Sequence, residues 1–292
     1  MYTVSQYHQD MIYQRRDNIR HCIKCSFELF PPKNSIAEEH FWHVVEKLSK
    51  LKPTFFSVTH GANNGERQKT YDFVKKIYKK TGINTAAHLT CVNTSTKELK
   101  KTAEEYWNNG IKSIIALRGD TSEKNYKHHM YAVDLVNLLK KIENFDIAVA
   151  AYPELHPESK NVQCDIMNLK KKIDAGANRA ITQFFFNVEH YLYFRDNCVK
   201  NKIHVEIIPG ILPVYSFNQL QRFSKMTNVT IPNWMFEIFY GLNSDLVTQQ
   251  FIGCSIVLDM VKVLSREGVK NFHFYTLNKS EIVYVVCHML GL

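Results

Sequence analysis

The sequence predicts an α/β fold, a single (β/α)8 barrel of the TIM type, with an extra N-terminal segment and a helical insertion near residues 216–267. Three observations carry this. Short β-rich runs alternate with longer amphipathic runs through eight strand–helix units. Several helical patterns close on a glycine (Gly82, Gly110, Gly176, Gly268), the residue that tolerates the left-handed turn after a helix. Nearly every strand candidate ends in polar or ionisable side chains, which a structural strand does not need and the C-terminal rim of a barrel does. A doubly wound open sheet is the alternative architecture.

Taken in order, the polar segment 1–20 precedes "KCSFELF" (24–30), where aromatic and polar residues alternate until Pro31 and Pro32 stop the strand. The helical pattern "AEEHFWHVVEKLSKL" follows. "TFFSVTH" (54–60) runs into "HGANNGER", whose glycines and asparagines favour a tight turn, and then into "ERQKTYDFVKKIYKKTG". "NTAAHLT" (84–90) pairs with "TKELKKTAEEYWNNG", and "KSIIALRG" (112–119) with "MYAVDLVNLLKKIENF". "DIAVAAYP" (146–153) pairs with "VQCDIMNLKKKIDAG", and "RAITQFFF" (179–186) with "VEHYLYFRDNCVKN". "HVEIIPGI" (204–211) leads into the long helical region 216–267, interrupted near Pro232. "NFHFYTL" (271–277) and the helix "KSEIVYVVCHMLG" complete the pattern.

With 292 residues, 45% of them hydrophobic, the chain can bury a sizeable core, and no low-complexity linker divides it. One domain over 1–292 is expected. No stretch approaches the ~20 unbroken apolar residues of a membrane span. The first twenty residues lack the apolar region of a secretory signal, so a cytoplasmic protein is expected. The seven cysteines lie in apolar contexts and read as reduced, packed thiols. "CIKC" (Cys22 to Cys25) has metal or redox spacing but no second pair, so no metal is expected. The charge of +9 comes from lysine doublets on helices with acids interspersed. That describes solvated helix faces, or an anionic small ligand, rather than a nucleic-acid surface. The expected partners are small molecules, with no nucleic acid and no membrane.

The strand ends supply the candidate chemistry: Glu28, Thr59 with His60, His88 with Thr90, Arg118-Gly119-Asp120, Tyr152 with His156, Gln183, Gly210, and Thr276 to Lys279. Alternation puts Phe27 and Leu29 under the helices and Ser26, Glu28 and Phe30 toward the interior. A carboxyl in such apolar company resists ionisation, which makes Glu28 a usable general acid near neutral pH. The alternative is a structural glutamate satisfied by a lysine. Gly119 allows close backbone approach, Arg118 suits an anion, and Asp120 suits a cation or a ring. Asp165, Asn168 and Lys172 share a helical face that fits a ribose and pyrophosphate, or only solvent. Gln183 brings one amide into an aromatic wall. No GxGxxG occurs, so a dinucleotide would be bound otherwise than in a Rossmann site. A metal hydrolase would show H-x-H where this chain has S-F-E, and a Schiff-base aldolase would show a lysine near the end of a central strand.

The segments "SFELFPPK", "FSVTHGANNGER", "AHLTC", "YWNNGI", "ALRGD", "VAAYPELHPE", "DAGANRAITQFFF", "IIPGILP" and "SREGVKNFHFYTLN" together resemble bacterial methylenetetrahydrofolate reductase, from about residue 20 onward. The resemblance implies a (β/α)8 barrel binding FAD. A nicotinamide donor, NADH in preference to NADPH, would convert methylenetetrahydrofolate to 5-methyltetrahydrofolate by a ping-pong mechanism. It implies a role in one-carbon metabolism and methionine biosynthesis, and a homo-oligomer. Glu28 would be the general acid for opening the methylene bridge, and Asp120 would stabilise the resulting iminium and tune the flavin. FAD contacts would fall on Thr59, His60, Ala62, His88, Arg118, Gly119, Asp120 and Ala132. Further FAD contacts would be Tyr152, His156, Asp165, Asn168, Lys171 and Lys172. Gln183 and Phe223 would border the site shared by nicotinamide and folate; Gln219 and Lys279 would serve folate. Three positions depart from the usual pattern, with His60 for Tyr, Lys171 for Arg and Lys279 for Arg. The regulatory domain that eukaryotic relatives append is not expected. The alternative function is a flavin- or folate-binding barrel without catalysis.

Overall fold

A computed structural model describes residues 23–60, 64–120 and 130–292, with side chains omitted at 64–66. Ala62, Cys22 and the N-terminal segment 1–20 lie outside the described residues. Nine parallel strands form one nearly closed barrel: β1 (Lys24–Leu29), β2 (Phe56–Val58), β3 (Thr85–Thr90), β4 (Ser113–Leu117), β5 (Asp146–Ala151), β6 (Arg179–Thr182), β7 (Glu206–Ile208), β8 (Gly210–Ile211) and β9 (Asn271–Tyr275). The helices between them are α1 (Ser35–Ser49), α2 (Asn64–Thr81), α3 (Thr96–Asn108), α4 (Ala132–Ile142), α5 (Val162–Asp174), α6 (Val188–Lys200), α7 (Phe217–Thr227), α8 (Asn233–Ile238), α9 (Leu246–Arg266) and α10 (Glu281–Met289).

The expected eight strands become nine because "HVEIIPGI" breaks at Pro209. β7 pairs with β6 (Ala180 beside Ile207), whereas β8 pairs with β9 (Gly210 beside His273). Proline has no N–H to give to a ladder, and it sits where the strand changes partners. Its carbonyl accepts from His273 N at 3.0 Å, which carries the seam across the break. β1 and β9 close the ring, with Glu28 opposite Tyr275. β6 is also shorter than expected. It ends at Thr182, and Phe184, Phe185 and Phe186 pack beyond the ladder, Phe185 stacking on Tyr191 of α6 at 5.4 Å.

The strand faces divide as alternation requires. Phe27 and Leu29 are fully buried in the outer core under the helices. Burial of each such side chain contributes about 1.5–3 kcal/mol. The interior carries a small apolar cluster of Phe55, Ala86, Ile115, Ala148, Ile181 and Ile208. Helix starts are set by side-chain caps. Asn34 accepts from Ala37 N, Asn161 accepts from Cys164 N, and Ser95 forms a capping box with Glu98.

The insertion breaks twice, once at Pro232 and again between α8 and α9, where Gly241 turns with φ +76°. By length and composition α9 could cross a membrane, at hydropathy 1.4. It instead packs Val257, Val261 and Leu264 into the outer core as the crossover from β8 to β9.

Candidate active site

The first strand places Glu28 at the C-terminal mouth. Its carbonyl accepts from Thr276 Oγ1 at 2.6 Å, which ties the end of β1 to the loop after β9. Phe30 and Asn278 exchange two hydrogen bonds of 2.8 Å across the same seam. Glu28 is 9% exposed as a residue, and burial pushes its carboxyl pKa up to about 8. It is therefore protonated and neutral at neutral pH. Its Oε2 lies 3.5 Å from His88 Nε2. Burial first, then His273 and His60, pushes the His88 imidazole down to about 3. The pair stands at ion-pair distance, yet both members are neutral. No described residue makes a hydrogen bond to the buried His88 Nε2. The alternative of a lysine satisfying Glu28 is not what the described residues show.

Beneath Glu28 lies a second histidine that the strand-end reading did not single out. Ser26 Oγ and His273 Nδ1 are 2.7 Å apart, and His273 Nε2 is 3.5 Å from Ser57 Oγ. Burial pushes His273 down to about 3, and its ring stacks on Phe55 at 5.5 Å. Tyr275 donates to the Thr182 carbonyl at 2.6 Å. Gly210 is obligatory here: a Cβ would sit 2.1 Å from that carbonyl and 2.5 Å from the Tyr275 ring. The missed signal was the alternation Asn271, His273, Tyr275 on one face of the last strand.

The ends of β2 to β5 form the adjoining rim. Thr59 and His60 are half-buried just past β2, where Thr59 N donates to the Leu29 carbonyl at 2.9 Å. Arg67 Nε donates to His60 Nε2 at 3.4 Å. Gly119 adopts φ +91°, and a Cβ there would meet Val92 at 2.5 Å, so this turn requires glycine. Arg118 forks onto the Glu158 carboxylate, one arm at 2.8 Å. Asp120 is exposed and Ala132 opens α4 half-buried.

Tyr152 and His156 meet edge to face at 4.6 Å. Burial, with Asp165 and Asp120 adding to it, pushes the Tyr152 hydroxyl up to about 12. Asp165 accepts from His156 N at 2.9 Å. Lys172 reaches inward to the Ala150 carbonyl at 2.6 Å; burial pushes its ammonium down to about 8, against the pull of Asp165. Asn168 and Lys171 are exposed, so the expected α5 face is divided between rim and solvent.

The opposite wall holds the residues expected to meet folate. Gln183 is half-buried past β6, its Oε1 accepting from Phe184 N at 3.1 Å. Gln219 and Phe223, one turn apart on α7, are half-buried. Lys279 follows Leu277 and Asn278, which both take left-handed φ, at 53° and 56°. Its Nζ lies 4.8 Å from the Tyr215 ring centre, and Tyr215 donates to the Lys279 carbonyl at 3.0 Å.

The family model for methylenetetrahydrofolate reductase matches residues 13–291. The chain belongs to the methylenetetrahydrofolate reductase family. It is 69% identical over 292 residues to a 5,10-methylenetetrahydrofolate reductase from Buchnera aphidicola subsp. Acyrthosiphon pisum (strain APS), covering 100% of both chains. It is 55% identical over 283 residues to the 5,10-methylenetetrahydrofolate reductase of Escherichia coli (strain K12), covering 97% of this chain and 96% of that one. Among solved structures, an uncharacterized protein from Clostridium thermocellum that binds two copies of 5-methyl-5,6,7,8-tetrahydrofolic acid superposes with a TM-score of 0.67. Its sequence identity is 17%, and the match covers 96% of this chain and 98% of that one, a likeness of fold. The barrel expected for this family from the sequence is thus the barrel observed.

Proposed function

We propose that this chain reduces 5,10-methylenetetrahydrofolate to 5-methyltetrahydrofolate through bound FAD, with NADH as donor, the two substrates using one site in turn. The observation that carries the reading is a carboxyl kept neutral to about pH 8 at the C-terminal mouth, in a chain of this family. The residues present fit a flavin dinucleotide. His88 Nε2 is a buried polar atom whose hydrogen-bonding capacity no described residue meets, and Arg118 and Lys172 are rim cations. Bound FAD supplies the acceptance and donation of hydride.

The chain's residues do the rest. The Glu28 carboxyl delivers its proton to the nitrogen released as the five-membered bridge opens, and the neutral His88 beside it adds no charge to oppose that transfer. The Asp120 carboxylate stabilises the cation left on the opened carbon. Gln183 and Phe223 hold the flat ring that occupies the shared site, Gln219 adds a polar contact to folate, and Lys279 holds the folate tail by charge. The test is two half-reactions. NADH should bleach the purified yellow protein anaerobically, and methylenetetrahydrofolate should restore the colour with formation of 5-methyltetrahydrofolate. Bleaching without folate turnover would favour the binding barrel.

A further inference from the structure

We infer that Glu154 is a positioning residue that locks α7, and with it Gln219 and Phe223, to the cofactor side of the rim. The inference rests on the proposed function for the roles of those two side chains, but its geometry stands alone. Glu154 lies two residues past Tyr152 in the loop after β5. Its side chain is only 13% exposed, although it belongs to a surface loop. Oε2 accepts from Thr230 N at 2.9 Å, and Thr230 lies in the linker between α7 and α8. Oε1 approaches His190 Nδ1, in the first turn of α6, at 3.6 Å. A largely buried side-chain oxygen that accepts from one distant backbone N–H is an anchor between two segments 76 positions apart.

α7 is fastened at its other end as well. Phe217 N donates to Gln249 Oε1 at 2.7 Å, and Gln249 Nε2 donates to the Leu242 carbonyl at 2.6 Å. Just past α7, Asn228 turns the chain with φ +60°, and Ser224 Oγ donates to the Val229 carbonyl at 2.6 Å. The helix and its exit therefore form one stiff piece whose tilt is set by Gln249 at the start and Glu154 beyond the end. The loop that carries Glu154 also carries His156, whose N–H is held by Asp165, and Glu158, whose carboxylate accepts the Arg118 fork. One short loop thus joins the residues assigned to FAD to the helix assigned to folate. A side chain misplaced by about 1 Å weakens binding and alignment without touching the reacting groups.

The test uses the holoenzyme with Glu154→Ala, Glu154→Asp and Glu154→Gln. Alanine removes the acceptor, aspartate is one methylene too short, and glutamine keeps an oxygen for Thr230 N. We expect the methylenetetrahydrofolate KM to rise about 5- to 20-fold in Glu154→Ala and Glu154→Asp, with kcat within about 3-fold and FAD content unchanged. Glu154→Gln should stay within about 2-fold of wild type. Independently of activity, hydrogen exchange at the Thr230 amide should accelerate at least about tenfold in the first two variants and not in the third. Should Glu154→Ala fail to fold, the Asp and Gln pair decides. Unchanged Thr230 exchange in the shortened variants, or equal damage in Glu154→Gln, overturns the inference. A wild-type protein without folate reduction would instead sink the proposed function, and the exchange comparison would still decide the anchor.

Discussion

The two mouths of the barrel handle charge in opposite ways. At the N-terminal mouth, a cavity of about 280 Å3 is lined by Lys24, Asp146, Arg179, Glu206 and Asn271 among others. There Arg179 pairs with Asp146, which also accepts from Ser113 Oγ at 3.1 Å, and Asn271 donates to Glu206. Asp146 and Arg179 keep 36% and 28% of their side-chain surface in solvent. At the C-terminal mouth Glu28 and His88 are buried, neutral and 3.5 Å apart, without a hydrogen bond between them. The apolar cluster of Phe55, Ala86, Ile115, Ala148, Ile181 and Ile208 lies in the interior between the two mouths. The contrast concerns the groups that face the barrel interior: the half-exposed Asp146–Arg179 pair holds structure, and ionisable groups denied both water and partners are held ready for a ligand, while on the outer rim of the C-terminal mouth Arg118 is itself paired with Glu158.

That contrast can be broken by substitution, and the largest effect belongs to Glu28→Gln. It keeps the shape and loses the proton, so the folate half-reaction should fall by about 10²–10⁴ while flavin reduction by NADH stays within a few-fold. Stopped-flow measurement of each half-reaction decides, and equal losses would remove Glu28 from the acid role. In wild type the folate half-reaction should decline above about pH 8, as the carboxyl ionises, and the NADH half-reaction should lack that limb.

The same carboxyl should leave a mark on stability. Its pKa is raised from 4.5 to about 8, so between those values the folded state holds a proton that the unfolded chain has released. The Glu28 contribution to stability therefore falls as pH rises through that window. Glu28→Gln should match wild type near pH 4.5 and exceed it by roughly 2–4 kcal/mol at pH 9. His88 and His273, both pushed down to about 3 in the folded state, bind protons only on unfolding below about pH 6.5; that opposite contribution is common to wild type and Glu28→Gln and cancels in the difference. Denaturant melts at the two pH values measure it; a difference independent of pH would contradict the buried neutral carboxyl.

Lys279→Ala tests the far wall of the same mouth. Losing one ionic contact to the folate tail should raise the folate KM by roughly 5- to 30-fold, or about 1–2 kcal/mol. NADH oxidation with an artificial acceptor should hardly change, and Lys279→Arg should keep or lower the KM. A wild-type KM in Lys279→Ala would mean that the tail binds elsewhere. The smallest effect is expected at the other mouth. Asp146→Asn strips Arg179 of a half-exposed partner and should cost about 1 kcal/mol, with both half-reactions within about 2-fold of wild type. A large loss of folate reduction there would erase the distinction between the mouths.

The barrel was legible because its signals are local. Strand alternation put Glu28 inside and Phe27 outside, and the glycines marked the helix ends. What was not legible depends on distance in the chain. His273 meets Ser26 from 247 positions away, and nothing near either residue announces the other. The break at Pro209 follows from two different neighbours competing for one strand, which periodicity does not register. The α5 face divided for a similar reason. Lys172 and Asn168 share a face by spacing, yet the Ala150 carbonyl draws the lysine inward. Glu154 carries no signal in the sequence because its partner, Thr230, offers only a backbone N–H.

The seam between β1 and β9 also bears on how the protein is made. Phe30 and Asn278 clamp one another across 248 positions, so the ring cannot shut until roughly that much chain has followed its first strand. At synthesis speeds of about 5–20 residues per second, β1 waits roughly 12–50 s for its last neighbour. During that interval Phe27 and Leu29 sit on a strand with one unpaired edge, a template for the wrong chain. The nascent barrel is thus most vulnerable to aggregation just before its final strand arrives, and it is at this stage that a chaperone would have the most to protect.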